Sequence, residues 1–267
     1  MFEYVLITDK SELVQHKQAI QGLFSECFNK ELNENIWTWS YLDNVCGSPI
    51  VSLCYNEQGK LVGHYAVIPI SLQSLNPNHK FMLSMTTMVD KDVRRYGLFV
   101  KQAKLVYEEA RKSGYSYIYG FPNKNSLPGF RKRLGWKIED DYVAIVNKKQ
   151  LLDSEGFNRY IDEVGCLGFN IANMEVADWR LSKPCASYIS RGGLVVKEYG
   201  DVNDVVYIDK NAIGTLDDDT RYHILIDGSI PDFLDSKVFS YPFGYLSLVD
   251  ETDILKIKKD LLLSDVF

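Results

Sequence analysis

The clearest pattern in the chain is a largely apolar run at Phe81–Val89, which a short charged turn separates from a helical pattern. An apolar run that ends in a β-branched residue predicts a buried strand. The turn is Asp90–Asp92, and Arg94–Gly97 opens a predicted helix that reaches about Ser113. The first N–H groups of a helix lack intrahelical partners and carry about half a positive charge, so this order predicts a phosphate-binding turn.

Further elements are predicted on both sides of this run. Before it, alternation and apolar spacing indicate a strand at 2–8, helices at 11–29 and 33–44, and strands at 50–55 and 61–72 joined by a turn at Asn56–Gly59. After it come a strand from Tyr117, a helix at 124–133 and a strand at 142–147. The order is β-hairpin, strand, loop, helix, strand, helix.

The second half repeats the first faintly. The pattern at 148–163 predicts a helical connection. Trp179–Pro184 is then followed by two predicted strands around a Gly192-Gly193 turn. This resembles Trp39–Pro49 and the two strands after it. The pattern therefore predicts one domain at 1–147 and a smaller one at 148–267.

Composition narrows the class of protein. The chain has 267 residues, of which 46% are hydrophobic and 25% charged, which is typical of a globular protein with a sizeable core. No apolar run approaches the ~20 residues that span a bilayer, and MFEYVLITDK lacks the pattern of a signal peptide. We expect a cytoplasmic protein with no metal, whose five scattered cysteines are reduced and structural: Cys27, Cys46, Cys54, Cys166 and Cys185.

Charge is distributed unevenly along the chain. The net charge is −6, which argues against nonspecific nucleic-acid binding. Residues 91–137 nevertheless contain 12 basic and 3 acidic side chains. This window predicts a local site for a polyanion such as coenzyme A. The alternative is that the helices at 98–113 and 124–133 simply have cationic solvent faces.

Two motifs in this window resemble those of one family. The chain has neither G-x-G-x-x-G nor G-x-x-x-x-G-K-[ST], but Arg94-x-x-Gly97-x-Phe99 resembles the R-x-x-G-x-G/A pyrophosphate loop of the GNAT superfamily of acyl-CoA-dependent N-acyltransferases. Phe99 departs from the usual Gly or Ala. The stretches 117–126 and 130–136 resemble that family's next strand, its Asn-x-x-Ser/Ala helix start and its closing Leu-Gly-aromatic. The resemblance covers residues of about 50–140.

The resemblance implies an α/β fold with a mixed central sheet whose strands splay apart around acetyl-CoA, followed by a degenerate GNAT-like half that lacks its own cofactor loop. A backbone N–H of Met88 or Val89 would polarise the thioester carbonyl. Pyrophosphate would lie on the N–H groups of 95–99. The complete expected cofactor set is Met88, Val89, Arg94, Arg95, Tyr96, Gly97, Leu98, Phe99, Asn123, Asn125 and Ser126.

The catalytic acid and base are less well specified. The position where many relatives place a tyrosine acid holds Arg131, which does not release a proton near neutral pH, so Tyr119 is an alternative acid. His64 follows Gly63 on a predicted strand and is a candidate base. A water relay and three carboxylates are also open: Glu26, Asp43 and the terminal carboxylate of Phe267.

The predicted function is transfer of an acetyl group from acetyl-CoA to a primary amine of a small molecule. By analogy with GNAT proteins of surface-polysaccharide synthesis, an amino sugar, free or nucleotide-linked, is the preferred acceptor; an aminoglycoside or an amino acid fits as well. An aminoacyl-tRNA substrate is disfavoured by the charge. The rival hypothesis is a catalytically inactive GNAT fold that binds acyl-CoA as a sensor. The oligomeric state stays open.

Overall fold

The structure is a computed structural model that describes residues 1–165, 167–249 and 255–264. Its helices are α1 (Lys10–Gln15), α2 (Lys17–Phe28), α3 (Glu34–Tyr41), α4 (Leu98–Lys112), α5 (Leu127–Arg133), α6 (Lys148–Asp153), α7 (Glu155–Val164) and α8 (Met174–Leu181). The first strands are β1 (Phe2–Ile7), β2 (Ile50–Asn56), β3 (Leu61–Ile70), β4 (Leu72–Gln73), β5 (Phe81–Val89), β6 (Tyr117–Gly120), β7 (Lys137–Glu139) and β8 (Tyr142–Asn147). The others are β9 (Gly168–Phe169), β10 (Tyr188–Arg191), β11 (Leu194–Lys197), β12 (Asn203–Ile208), β13 (Arg221–Ile226), β14 (Lys237–Ser240) and β15 (Phe243–Ser247).

The larger sheet has the strand order β1-β2-β3-β5-β6-β15-β7. All neighbours are antiparallel except β5 and β6, which run parallel and pair only from Phe81↔Tyr117 to Leu83↔Tyr119. Beyond that point the two strands diverge. The predicted mixed α/β sheet with a central splay is confirmed.

Helix α4 covers one face of this sheet. Its apolar positions recur at helical spacing, so Leu98, Ala103, Val106 and Ala110 are all buried towards the strands. The sheet therefore fixes the N-terminus of α4 beside the diverging end of β5, as the sequence predicted. Within the described ranges, no helix combines the length and the apolar character that crossing a membrane requires.

The smaller sheet has the order β10-β11-β12-β13-β8-β14. Its pairings, in that order, are antiparallel, antiparallel, parallel, antiparallel and antiparallel. The same series runs through β2-β3-β5-β6-β15-β7 in the larger sheet. Where the first half has the long helix α4, the second half has a short 3₁₀ turn at Lys210–Thr215. This repetition is what a degenerate second GNAT-like half requires, although common ancestry stays a prediction.

The domain boundary at 147 stays a prediction, and the two sheets do not divide there, because each half contributes one strand to the other sheet. Strand β8, expected as the last strand of the first domain, lies between β13 and β14 of the smaller sheet. In return β15 lies between β6 and β7 of the larger one. The short β7 has only β15 as its neighbour, so the first sheet is incomplete without the second half.

A pair of tryptophans joins the halves with local two-fold symmetry. Trp39 on α3 and Trp179 on α8 stack with ring centroids 5.3 Å apart. The Trp39 Nε1–H donates to the Trp179 carbonyl at 2.7 Å, and the Trp179 Nε1–H donates to the Trp39 carbonyl at 3.0 Å. Asn33 caps α3 and Asn173 caps α8 with their side chains. The weak sequence repeat around the two tryptophans thus corresponds to a real structural equivalence.

This reciprocity predicts matched losses of stability. Trp39→Phe and Trp179→Phe each remove one indole N–H that donates to a backbone carbonyl, although the Trp179 carbonyl still accepts from the hydroxyl and the N–H of Ser182. We expect each to cost about 1–2 kcal/mol of unfolding free energy. Because the rings share one contact, we expect the double variant to depart from additivity by about 0.5–1 kcal/mol. Urea denaturation measures all three variants, and a cost confined to one tryptophan would contradict the symmetric arrangement.

The segment at 255–264 is buried between the two halves. The Lys259 ammonium bonds Asp141 Oδ1 at 2.9 Å and also the carboxylates of Glu139 and Asp227. Burial alone would lower the pKa of Lys259, but the three carboxylates raise it well above its usual range. The three carboxylates lie close enough together to bind a cation, and the Lys259 ammonium is the cation that they bind.

Candidate active site

A bulge in β5 lies where the central strands separate. The pairing of β3 with β5 shifts between His64↔Met88 and Ala66↔Met85, which leaves Thr86 and Thr87 opposite a single residue. Thr86 has a left-handed φ of 50°, which is uncommon for a β-branched residue. The bulge interrupts the pairing of β5 with β3 at Thr86 and Thr87, beyond the last residues of β5 that pair with β6.

The turn after β5 leads into the N-terminus of α4, the helix end at which the sequence predicts a phosphate site. The Asp90 side chain caps a 3₁₀ turn at Lys91–Tyr96, and Gly97 has φ 71° immediately before α4. Leu98 is fully buried and anchors the first turn. A Cβ at Gly97 would meet no atom within 4 Å, so the side-chain position of this residue faces open space.

We call a cavity at this end the anion groove. Its volume is about 790 Å³. Three cations line it, and Arg94 Nε donates to the Val89 carbonyl at 3.2 Å. The lining residues are Cys27, Phe28, Thr87, Met88, Val89, Arg94, Phe99, Asn123, Asn125, Ser126, Pro128, Gly129, Lys132 and Arg133. The groove can therefore hold an extended polyanion.

Phe99, the departure from the family motif, has a packing role. Its ring lies 5.2 Å from the ring of Phe130 and 6.1 Å from that of Tyr65. A Cβ on Gly129 would come within 2.8 Å of the Phe99 ring. The absence of a side chain at Gly129 thus accommodates Phe99, and the ring forms a wall of the groove without closing it.

A small cavity of about 170 Å³, which we call the apex cavity, lies at the point of the splay. It shares Phe28, Thr87, Asn123 and Ser126 with the anion groove. Asn123 Oδ1 accepts from the backbone N–H groups of Asn125 and Ser126 at 2.9 and 3.0 Å, which fixes the turn that leads into α5. A Cβ at Gly120 would lie 3.1 Å from the Ser84 carbonyl, so glycine permits the close approach of β5 and β6 here.

A third cavity, the α2–α3 cavity, opens on the other side of the bulge. Its volume is about 540 Å³. It shares Thr86 and Phe28 with the apex cavity. Its lining residues are Phe24, Phe28, Lys30, Glu31, Leu32, Asn33, Ile36 and Thr86. The groove, the apex cavity and the α2–α3 cavity thus form a series of adjacent cavities around Phe28.

The three predicted catalytic side chains lie outside this series. His64 is fully buried, its Nδ1–H donates to the Thr86 carbonyl at 2.7 Å, and burial lowers its pKa to about 4. Tyr119 is also fully buried; its hydroxyl donates to the Leu263 carbonyl at 3.3 Å, and burial raises its pKa well above the usual range. Arg131 is exposed on α5 and pairs with Asp140. The geometry therefore gives none of them contact with a ligand in the groove.

Glu26 and Asp43, two of the alternative candidate bases, also lie away from the three cavities. Glu26 forms an exposed ion pair with Lys60. Asp43 lines a separate cavity of about 860 Å³ between α3 and α8, beside the stacked tryptophans. Phe267 lies outside the described residues. Glu31 is the one carboxylate among the described residues that line the groove, the apex and the α2–α3 cavity.

Much of the expected cofactor set does come together. Seven of its members line the anion groove: Met88, Val89, Arg94, Phe99, Asn123, Asn125 and Ser126. The side chains of Arg95, Tyr96 and Leu98 point elsewhere: Arg95 stacks on the exposed ring of Tyr96, and Leu98 enters the core. Gly97 contributes its backbone conformation. Any contribution of these four is therefore through backbone groups.

Several groove residues were not predicted. Two consecutive threonines, Thr86 and Thr87, interrupt the apolar run of β5, and this interruption of the sequence pattern indicates the bulge. Cys27 and Phe28 gave no such sign, because they look like the buried face of α2. The described cysteines other than Cys27 lie outside the groove, and all four of those described are unpaired: Cys27, Cys46, Cys54 and Cys185. Cys166 lies outside the described residues.

The splayed mixed sheet and the helix that begins beside the splay have the arrangement that the resemblance implied. Residues 14–138 match the family model described as acetyltransferase (GNAT) domain. These residues therefore carry a GNAT acetyltransferase domain. No curated protein matches the chain significantly by sequence.

Solved structures share the fold over almost the whole chain. A protein from Pyrococcus horikoshii has 13% identity and a TM-score of 0.60, with 97% of this chain and 92% of that chain covered. A GCN5-related N-acetyltransferase from Anabaena variabilis has 11% identity and a TM-score of 0.60, covering 93% and 73%. Another from Kribbella flavida has 12% identity and a TM-score of 0.58, covering 92% and 72%. At these identities the likeness concerns the fold alone.

Proposed function

We propose that this protein transfers an acetyl group from acetyl-CoA to the primary amine of a small molecule. The observation that carries the proposal is the series of features from the N-terminus of α4, along the cation-lined anion groove, to the bulge and the adjacent apex cavity. A cofactor with phosphates at one end and a thioester at the other matches the charge and order of this series. The expected cytoplasmic location belongs to the same proposal.

Each end of acetyl-CoA has its own set of partners. Pyrophosphate would lie against the first-turn N–H groups of α4, where the helix dipole favours negative charge. Arg94, Lys132 and Arg133 would neutralise the remaining phosphate charge from the groove walls. The thioester would reach the apex cavity, whose volume of about 170 Å³ suits a short acyl group.

The transfer itself needs few protein groups. The amine nitrogen attacks the thioester carbonyl carbon, an N–C bond forms, and the C–S bond breaks with its electron pair leaving on sulfur. Of the two predicted carbonyl donors, Val89 lines the groove, where its carbonyl accepts from Arg94 Nε. Met88 pairs with His64 on the opposite side. We therefore favour the Val89 N–H as the group that polarises the carbonyl.

Two proton transfers complete the reaction. The nitrogen loses one proton, which water at the rim of the α2–α3 cavity would carry to the Glu31 carboxylate or to solvent. The departing thiolate gains one proton. The candidate donor of this proton is the Ser126 hydroxyl, because Ser126 lines both the groove and the apex cavity. His64 would act at most as a positioning residue, because it supports the bulge through the Thr86 carbonyl.

An acyl-CoA sensor without turnover is the second candidate. It is favoured by the placement of His64, Tyr119 and Arg131 away from the cavities. The acceptor class expected from analogy, an amino sugar, remains part of the proposal to be tested. Both candidates share the coenzyme A site, and they differ in whether the bound acetyl group is then transferred to an amine.

Ligand-dependent melting separates these alternatives. We expect acetyl-CoA and CoA at about 100 times their Kd to stabilise the fold by about 2.7 kcal/mol, because a ligand that binds only the folded state raises the melting temperature. NAD serves as the matched anionic control and should give no comparable shift. Release of free thiol on addition of amines then reports turnover. A shift without thiol release from any amine would support the sensor, and no shift would refute the coenzyme A site.

A further inference from the structure

The α2–α3 cavity has an apolar interior and a polar rim. Phe24 and Phe28 lie one helical turn apart on α2, and their rings form a wall with centroids 4.8 Å apart. Leu32 and Ile36 complete the interior. The polar side chains of the rim are Lys30, Glu31 and Asn33, all of which are exposed.

The aromatic wall is not explained by folding alone. Phe28 ends α2 with 41% of its surface exposed, and Phe24 and Ile36 are only half-buried. Partly exposed apolar side chains that converge on one concave surface are typical of ligand sites. Thr86 belongs to both this cavity and the apex cavity, so a ligand here would place its reactive group next to the thioester.

The geometry points to an acceptor amine with an aryl or alkyl body, and this inference rests on the proposed acetyl transfer. The body would lie between Phe24, Phe28 and Ile36, and the amine would reach towards Thr86 and the apex cavity. Glu31 at the rim would attract the ammonium form before its proton is lost. The nitrogen then forms the amide bond while sulfur leaves with the proton it gains.

An amino sugar fits this cavity less well. Each sugar hydroxyl that leaves water needs a hydrogen-bond partner, and an unpartnered hydroxyl is costly. Apart from Thr86, the interior is lined by four hydrocarbon side chains, which cannot form these hydrogen bonds: Phe24, Phe28, Leu32 and Ile36. The lining therefore favours an apolar body over a polyhydroxylated one.

An amine panel with acetyl-CoA tests this directly by thiol release. We expect kcat/KM for 2-phenylethylamine and hexylamine to exceed that for glucosamine and ethanolamine by about 10-fold or more, because each buried methylene adds discrimination. The thermal shift with CoA is measured on the same protein. If CoA binds and glucosamine is used as well as phenylethylamine, the apolar-acceptor inference fails while the acetyl-transfer proposal stands. If no amine releases thiol, the acetyl-transfer proposal itself fails.

A charge placed in the cavity gives the sharper test. Ile36→Asp should lower kcat/KM for phenylethylamine about 10-fold or more, with the CoA-dependent shift unchanged within about two-fold. Asn35→Asp introduces the same carboxylate on the neighbouring, exposed position of α3, outside this cavity, and should leave activity unchanged. If Ile36→Asp proves unstable, Phe24→Leu serves as the second variant. It removes the ring but keeps the interior apolar, so it should retain activity towards hexylamine. Equal losses in Ile36→Asp and Asn35→Asp would overturn the inference.

The cavity has one rival occupant, a long acyl chain on the donor. Octanoyl-CoA distinguishes it, with phenylethylamine held as the acceptor. We expect octanoyl-CoA to react at least about 10-fold more slowly than acetyl-CoA, because the apex cavity is small and the acceptor fills the α2–α3 cavity. Faster reaction with octanoyl-CoA would assign the cavity to the acyl chain and would contradict an apolar acceptor.

Discussion

Replacing Gly97 by glutamate is expected to abolish coenzyme A binding. The new carboxylate would stand in the open space before the first turn of α4, where the pyrophosphate is proposed to lie. Two like charges about 4 Å apart repel by about 4 kcal/mol at an effective dielectric constant near 20, which corresponds to a loss of affinity of about 1,000-fold. Thermal-shift titration with CoA measures the loss, and thiol release should disappear with it.

The other end of the same helix supplies the control. Gly114 follows α4 with φ 80°, and a Cβ there would also meet nothing within 4 Å. Gly114→Glu therefore imposes the same left-handed strain, about 1–2 kcal/mol, without touching the groove. We expect both variants to melt somewhat lower and only Gly97→Glu to lose the CoA shift. Unchanged CoA binding in Gly97→Glu would place the cofactor elsewhere.

The turn at Gly97 was predictable because its determinants are local. An apolar run, a charged turn, a glycine and an amphipathic helix follow each other within 81–113, and each is set by neighbouring residues. The strand at Phe81–Val89 and the helix after it are confirmed at these positions. Local order is enough here because a strand followed by a helix fixes where the helix N-terminus lies.

The strand exchange was not predictable by the same reasoning. Both β8 and β15 look like ordinary short strands, and only pairing over long sequence separations decides which sheet each one joins. The burial of two catalytic candidates was not predictable for a related reason: His64 and Tyr119 alternate along strands like residues that face a cleft. Which face of a strand is open depends on the helices packed against it. The walls formed by Cys27 and Phe28 depend on that packing as well.

The buried Lys259 shows how the C-terminal segment stabilises the exchanged strands. Glu139 ends β7 in the larger sheet, Asp141 directly precedes β8 of the smaller sheet, and Asp227 follows β13. One ammonium group bonds all three carboxylates and is almost completely buried. Burial raises the pKa of Asp141 to about 6 even though the lysine lowers it, whereas the pKa of Asp227 ends below its usual value because Lys259 outweighs burial.

Lys259→Met is therefore expected to cause the largest loss of stability, about 3–5 kcal/mol, because it leaves buried carboxylates without their cation. Lys256→Met is the matched control on the same segment: its exposed pair with Glu163 should contribute less than about 1 kcal/mol. Denaturant unfolding at pH 7.5 measures both. Adding Asp141→Asn to Lys259→Met should recover part of the loss, since the most buried charge is then removed as well.

The pH dependence tests the cause of that loss. Asp141 already titrates near pH 6 in the folded state against an ordinary value of 3.8, so its ionisation weakens the fold as pH rises through that range. Without the Lys259 cation the folded-state pKa of Asp141 moves higher still. The stability difference between Lys259→Met and the unaltered protein should then be greatest above pH 7 and shrink towards pH 5, where the carboxyl is protonated. A difference that is constant over this range would mean that lost packing of the lysine stem, and not unpaired charge, destabilises the variant.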